Sequence, residues 1–198
     1  MECLGPVEEM KRARELLESA QEFLKEEAMK DLTLALKEDN TVLHIRDLRI
    51  FHIMQLNEFI KERHLTKLQD VVLGGKDKNE VLGDGKFLSM LCNALPGSIV
   101  RLNLTAASGV DHPEQVLSDV GSLIQRCRGS LRALNLDGCC GMVTRSTLVG
   151  LLDHGVLREL SIQDVLDDLG DLRTVIDRVG HLSKLSVGWR GLVRSYDP

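Results

Sequence analysis

One spacing recurs six times along this chain: an aliphatic residue, a second three positions on, and a third two positions after that. The clearest copy is Leu131-x-x-Leu134-x-Leu136. Ile99-x-x-Leu102-x-Leu104 stands upstream, and Leu157-x-x-Leu160-x-Ile162 and Leu182-x-x-Leu185-x-Val187 stand downstream. Leu68-x-x-Val71-x-Leu73 is a weaker copy, and Asn40-x-x-Leu43-x-Ile45 has a polar first position. The alternating second and third residues describe a strand with one buried face. A strand that returns at a near-constant interval describes one unit used repeatedly. No single unit can bury its own leucines, so the units must stack around one elongated interior.

Between the copies the period changes from two to about 3.6 residues, which predicts strands alternating with helices. Helices are expected over 86–95, 114–126 (with Val116, Leu117, Val120, Leu123 and Ile124 inside), 146–153 and 169–179. Strands are expected over 100–104, 132–136, 158–162 and 183–187. Each helix returns the chain to a strand beside the last, which predicts a parallel sheet with right-handed crossovers. Upstream, Pro6 opens a helix over 6–30, where its missing N–H costs little. Val7, Met10, Ala13, Leu17, Ala20, Leu24 and Ala28 form its inner stripe against an acidic outer face. Leu32 to Leu36 alternate as a strand of a hairpin with 41–45 would, but the expectation is a helix to about residue 37 followed by a strand at 41–45. A second helix is expected over 47–63, with Leu48, Phe51, Ile53, Leu56, Phe59 and Ile60 on its buried side.

These readings divide the chain into an N-terminal capping helix (1–39), the repeats (40–190) and a tail (191–198), with Trp189 placed to fold across the last layer. Aromatic residues are only 3% of the chain, so aliphatic layers must fill the interior. Residues 1–39 hold eleven acids and six bases, whereas 40–198 hold nineteen of each. No basic face is implied, which argues against nucleic acid as a partner. No stretch approaches the roughly 20 apolar residues of a membrane span. The five cysteines are an odd set without disulfide spacing, and the N-terminus lacks a signal peptide's apolar stretch. A cytoplasmic setting is expected, with the nucleus as the alternative.

Leu123-Ile124-Gln125-Arg126-Cys127, then Leu131-x-x-Leu134-x-Leu136-x-x-Cys139, then Val143-Thr144 and Leu148-x-x-Leu151 resembles the cysteine-containing class of leucine-rich repeat. The likeness is close over 123–152 and partial over 99–190, with one extra residue between Cys127 and Leu131. Units of that family run about 20–29 residues. Here successive copies lie 28, 31, 32, 26 and 25 residues apart. The resemblance implies an α/β solenoid shaped as a horseshoe, with a parallel concave sheet, convex helices and a helical cap at the N-terminus. It also implies that Cys139 lies inward. Such repeats often hold substrates for ubiquitin ligases in F-box proteins; the leucine-proline opening of an F-box is missing here.

On the strand register, the residues between the leucines point away from the interior. They form a candidate partner-binding stripe of His44, Arg46, Asp70, Arg101, Asn103, Thr105, Asn135, Asp137, Glu159, Ser161, Gln163, Lys184 and Ser186. The competing reading is an ordinary soluble sheet face, since of the residues favoured at binding hot spots the stripe holds only Arg46 and Arg101. Gly83-Asp84-Gly85-Lys86 and Gly74-Gly75-Lys76 lack the hydroxyl residue that would complete a phosphate loop. The histidines are scattered, no nucleophile elbow occurs and no zinc-ligand spacing is present. Asn103-Leu104-Thr105 matches a glycosylation sequon but falls within a predicted strand. The expectation is therefore a protein-interaction module without catalysis, cofactor, metal or small-molecule substrate. Substrate recognition in a ubiquitin ligase is the more specific form of that expectation. A structural subunit or assembly factor of a larger complex is the alternative.

Overall fold

The computed structural model describes residues 6–37, 39–45, 48–73, 85–105, 113–138, 144–163 and 169–188. The elements in chain order are α1 (Pro6–Ala35), β1 (Leu36–Lys37), β2 (Val42–Ile45), α2 (Ile50–Glu62), β3 (Asp70–Leu73), α3 (Gly85–Ala94) and β4 (Arg101–Leu104). They continue with α4 (Pro113–Cys127), β5 (Ala133–Asn135), α5 (Arg145–Asp153), β6 (Glu159–Gln163), α6 (Leu169–Ile176) and β7 (Lys184–Gly188). The strands form one sheet in sequential order, and helices pack against it. From β2 to β7 every pairing is parallel.

The units stay in phase because each strand enters the sheet by the same device. Two successive backbone N–H groups converge on one carbonyl of the preceding strand. Gln69 and Asp70 donate to Thr41 O, Val100 and Arg101 to Gln69 O, and Arg132 and Ala133 to Val100 O. Arg158 and Glu159 then donate to Arg132 O, and Ser183 and Lys184 to Arg158 O. These positions repeat the intervals between the sequence copies, one residue further on. The unequal repeat lengths are taken up between the strands, and the strand entries do not move. Serines reinforce the same joints: Ser98 Oγ donates to Leu68 O at 2.8 Å, Ser130 Oγ to Ile99 O at 2.8 Å and Ser183 Oγ to Arg158 O at 3.0 Å.

The buried aliphatic side chains are continuous from Leu32 in α1 to Val175 in α6. Leu43, Val71, Leu102, Leu134 and Leu160 occupy the same register position on successive strands. All five are at most 2% exposed. Their equivalent on the last described strand, Leu185, is 38% exposed, and no further described strand lies beside it. Cys127 is buried where α4 ends, and its Sγ donates to Pro96 O at 3.5 Å. Thr144 caps α5 by accepting from the Thr147 backbone N–H.

The sequence expectations need correction at the N-terminal end. The sheet is not wholly parallel, since β1 runs antiparallel to β2, with Leu36 opposite Leu43 and Lys37 opposite Val42. Asp39 and Asn40 between them adopt left-handed backbone, which the short turn requires and which these residue types tolerate. The first helix does run on, to Ala35, and takes in Leu32 and Leu34 as expected, with the strand following at Val42–Ile45. Of its expected inner stripe only Ala28 is buried; Met10, Ala13, Leu17, Ala20 and Leu24 are exposed. The second helix begins at Ile50 rather than 47, and Phe51 and Ile60 are only half-buried. His52, unpicked by the periodicity, is its buried polar residue. The last helix ends at Ile176 rather than 179. Arg46, the loops at 74–79 and 83–84, Cys139, Cys140, Val143, Trp189 and the tail lie outside the described residues, as do the side chains of Val7, Val116 and Leu117.

Candidate functional site, a polar groove on the sheet

Backbone register sets the stripe in rows. One row runs Val42, Asp70, Arg101, Ala133, Glu159 and Lys184. The next runs His44, Val72, Asn103, Asn135, Ser161 and Ser186. Both lie on the sheet face opposite the buried leucines, because successive side chains of a strand point to opposite sides. Adjacent members of a row stand about 4.8 Å apart.

A groove of about 320 Å³ crosses β3 to β7. It brings together Arg101, Asn103, Asn135, Asp137, Glu159, Ser161, Gln163, Lys184 and Ser186. The sequence stripe omitted Val72 and Ala133, which also line the groove floor. Strand alternation alone was sufficient to find them, but their apolar character hides them among core positions. His44 is not part of this groove. It lines a separate recess of about 320 Å³ with Asp31, Lys37, Arg49 and His52. Asp70 stands between the two: one carboxylate oxygen accepts from Arg101 at 3.3 Å, and the other faces His44 Nε2 at 3.5 Å. Thr105 borders the stripe and donates its hydroxyl to Asn103 Oδ1 at 2.7 Å.

Several of the polar side chains are structural. Asp137 follows β5 and accepts from the Ser161 hydroxyl at 2.8 and 2.9 Å and from the Gln163 backbone N–H at 2.8 Å. It thereby ties the exit of one strand to the next. Asn135 Oδ1 accepts from the Asp137 backbone N–H at 2.8 Å. Gln163 Nε2 donates to Ser186 Oγ at 2.8 Å.

This bonding fixes what remains available. The amide oxygens of Asn103 and Asn135 are both occupied by donors from their own strand exits. Their NH₂ groups are therefore the ends left to the groove, side by side on neighbouring strands. Glu159 and Lys184, also neighbours, make no ion pair among the described residues. The groove offers a short row of neutral donors flanked by one acid and one base. Such an array suits the carbonyl oxygens of an extended chain.

No described helix is long and apolar enough to cross a membrane. Among the described residues no group of three or more His, Cys, Asp or Glu is placed to hold a metal ion. The chain finds no match among protein-family models, curated proteins or solved structures.

Proposed function

We propose that this protein is an interaction module of the leucine-rich-repeat class, and that the groove across β3 to β7 grips an extended segment of a protein partner. The observation that carries the reading is the pair of amide groups on Asn103 and Asn135, whose oxygens are held internally and whose nitrogens are not. Their orientation is fixed before binding, so association orders few side chains. The segment's backbone carbonyls accept from the two amides. Its side chains meet Glu159 and Lys184 at one end of the groove and Arg101 at the other. The role is binding without chemistry, in the cytoplasm or nucleus.

The test replaces both donors by acceptors of the same shape. Asn103→Asp with Asn135→Asp keeps each internal acceptor and removes the outward N–H groups. With this chain and the wild type as baits in affinity capture, the partner should be lost or weakened about 100-fold, roughly the cost of leaving two buried acceptors unpaired. An unchanged partner set would move the binding site off this groove.

Substrate recognition in a ubiquitin ligase is the finer form of this proposal, supported by the resemblance of the repeats. Capture of a ligase adaptor that depends on residues 1–40 is the expected result. Its absence from the captured set would leave the module without that role. The reading as a structural subunit draws support from the exposed apolar side chains on α1.

A further inference from the structure

We infer that α1 pairs with α1 of a second copy of this chain, in an antiparallel two-helix contact centred on Ser19. The first half of α1 faces solvent all round: every residue from Glu8 to Leu24 is exposed. Yet it carries Met10 (69% exposed), Leu16 (69%), Leu17 (59%), Phe23 (62%) and Leu24 (44%). At about 100° per residue these side chains, with Ala13 and Ala20, share one stripe. Glu9 and Glu27 fall on the same stripe and mark its ends. A helical segment without tertiary support is marginal in water. A contiguous apolar strip of this length is a surface that another chain covers.

The charges beside the strip select the occupant. Glu8 and Glu26 are eighteen residues apart, five full turns, and so share an angular position. Arg12 and Lys30 are related in the same way and lie next to them on the same flank. An antiparallel pairing about Ser19 sets Arg12 opposite Glu26 of the second copy and Glu8 opposite its Lys30, each twice by symmetry. It also sets small against large along the strip, with Ala20 by Leu17 and Ala13 by Leu24. A parallel pairing turns this flank towards the opposite flank of the second copy, so neither of these two pairs forms. Glu8, Arg12 and Glu26 have no ion-pair partner among the described residues, and Lys30 reaches only the exposed Glu27 at 3.7 Å. The strip from Met10 to Glu27 is about 25 Å long. A contact of that size lies at the lower end of specific interfaces, near 1,200 Å² in total.

Sedimentation equilibrium of the full 198-residue chain from about 1 to about 100 µM is the test. The expected result is a monomer–dimer equilibrium. Leu17→Glu with Phe23→Glu, both at exposed positions, should give a monomer throughout while leaving the thermal transition of the repeats in place. Arg12→Glu alone should weaken the dimer roughly tenfold by setting like charges opposite each other. Adding Glu26→Arg in the same chain should restore it. A wild-type monomer over the whole range means that something other than a second copy covers the strip, and overturns the proposal. So does a dimer indifferent to the Leu17 and Phe23 changes, or one that the second charge reversal fails to rescue.

Discussion

Arg126 Nη2 donates to the carbonyl oxygen of Cys92 at 2.6 Å, and the same nitrogen reaches Leu95 O at 3.3 Å. The last carbonyls of a helix have no partner within it. Arg126, on α4, therefore caps the end of α3, and the charge suits the negative end of the helix dipole. Successive units are thus held by a side chain as well as by the sheet. Arg126→Met keeps most of the aliphatic stem and removes the donors. The expected loss is about 1–2 kcal/mol in urea unfolding, as for hydrogen bonds to a charged group at a partly wetted site. A loss within about 0.3 kcal/mol would show that water replaces the guanidinium without cost.

Leucines at one register position should differ in worth along the stack. Leu134 is 2% exposed between β4 and β6, so Leu134→Ala should cost about 2–5 kcal/mol by lost transfer energy and a residual cavity. Leu185 holds the equivalent place on β7, where β6 is its one described neighbour, and is 38% exposed. Leu185→Ala should cost less than about 1 kcal/mol. Equal costs in denaturant titration would contradict the difference in burial between Leu134 and Leu185.

The repeat itself was legible because its cause is local and periodic. The spacing of Leu102, Leu134, Leu160 and Leu185 encodes a strand with one buried face, and the observed registers align these four. The mistaken readings lie where periodicity and burial separate. Met10, Leu17 and Leu24 make an amphipathic pattern, but a pattern states which face is apolar and not what covers it. The hairpin between β1 and β2 depends on left-handed Asp39 and Asn40, a choice made by tertiary pairing with Leu43 and Val42. In the groove, alternation found Asn135, Asp137 and Ser161, but not which of them are consumed by the fold. Asp137 is held by Ser161 and Gln163 from the next unit, 24 and 26 residues away, and no short-range signal encodes that bond.

The Cys92 thiol gives the stack a pH dependence. Burial in α3 is the main cause, with the Asp119 carboxylate adding to it, and together they push the thiol from 9.0 to about 12. A raised value means that the folded chain prefers the neutral thiol. This preference contributes nothing unfavourable while the unfolded chain is also protonated, below pH 9. As pH rises from 9 towards 12 the unfolded thiol ionises first, and stability falls. Thermal melts between about pH 7 and 11 should show a steeper decline in the wild type than in Cys92→Ala. The thiol should also resist alkylation until the chain unfolds, because the thiolate is the reactive form. Parallel declines in the two chains would place the alkaline sensitivity elsewhere.

The close approach of units is tested most directly at Gly97, in the turn after α3. A Cβ built there would stand 3.1 Å from the Arg126 carbonyl oxygen and 3.5 Å from the Arg126 Cβ. That neighbour is helix backbone, fixed by the same end of α4 whose side chain caps α3. It cannot swing aside as a flexible side chain would. Gly97→Ala should therefore destabilise the chain by about 1–2 kcal/mol, the usual cost of overpacking, despite the entropy the alanine removes from the unfolded state. If the methyl acts by pushing α4 away from α3, it also lengthens the Arg126 bond to Cys92. The double variant with Arg126→Met should then lose less than the two single variants together, by about 0.5–1 kcal/mol in a double-mutant cycle. Strict additivity would mean that the methyl is accommodated without separating the two helices.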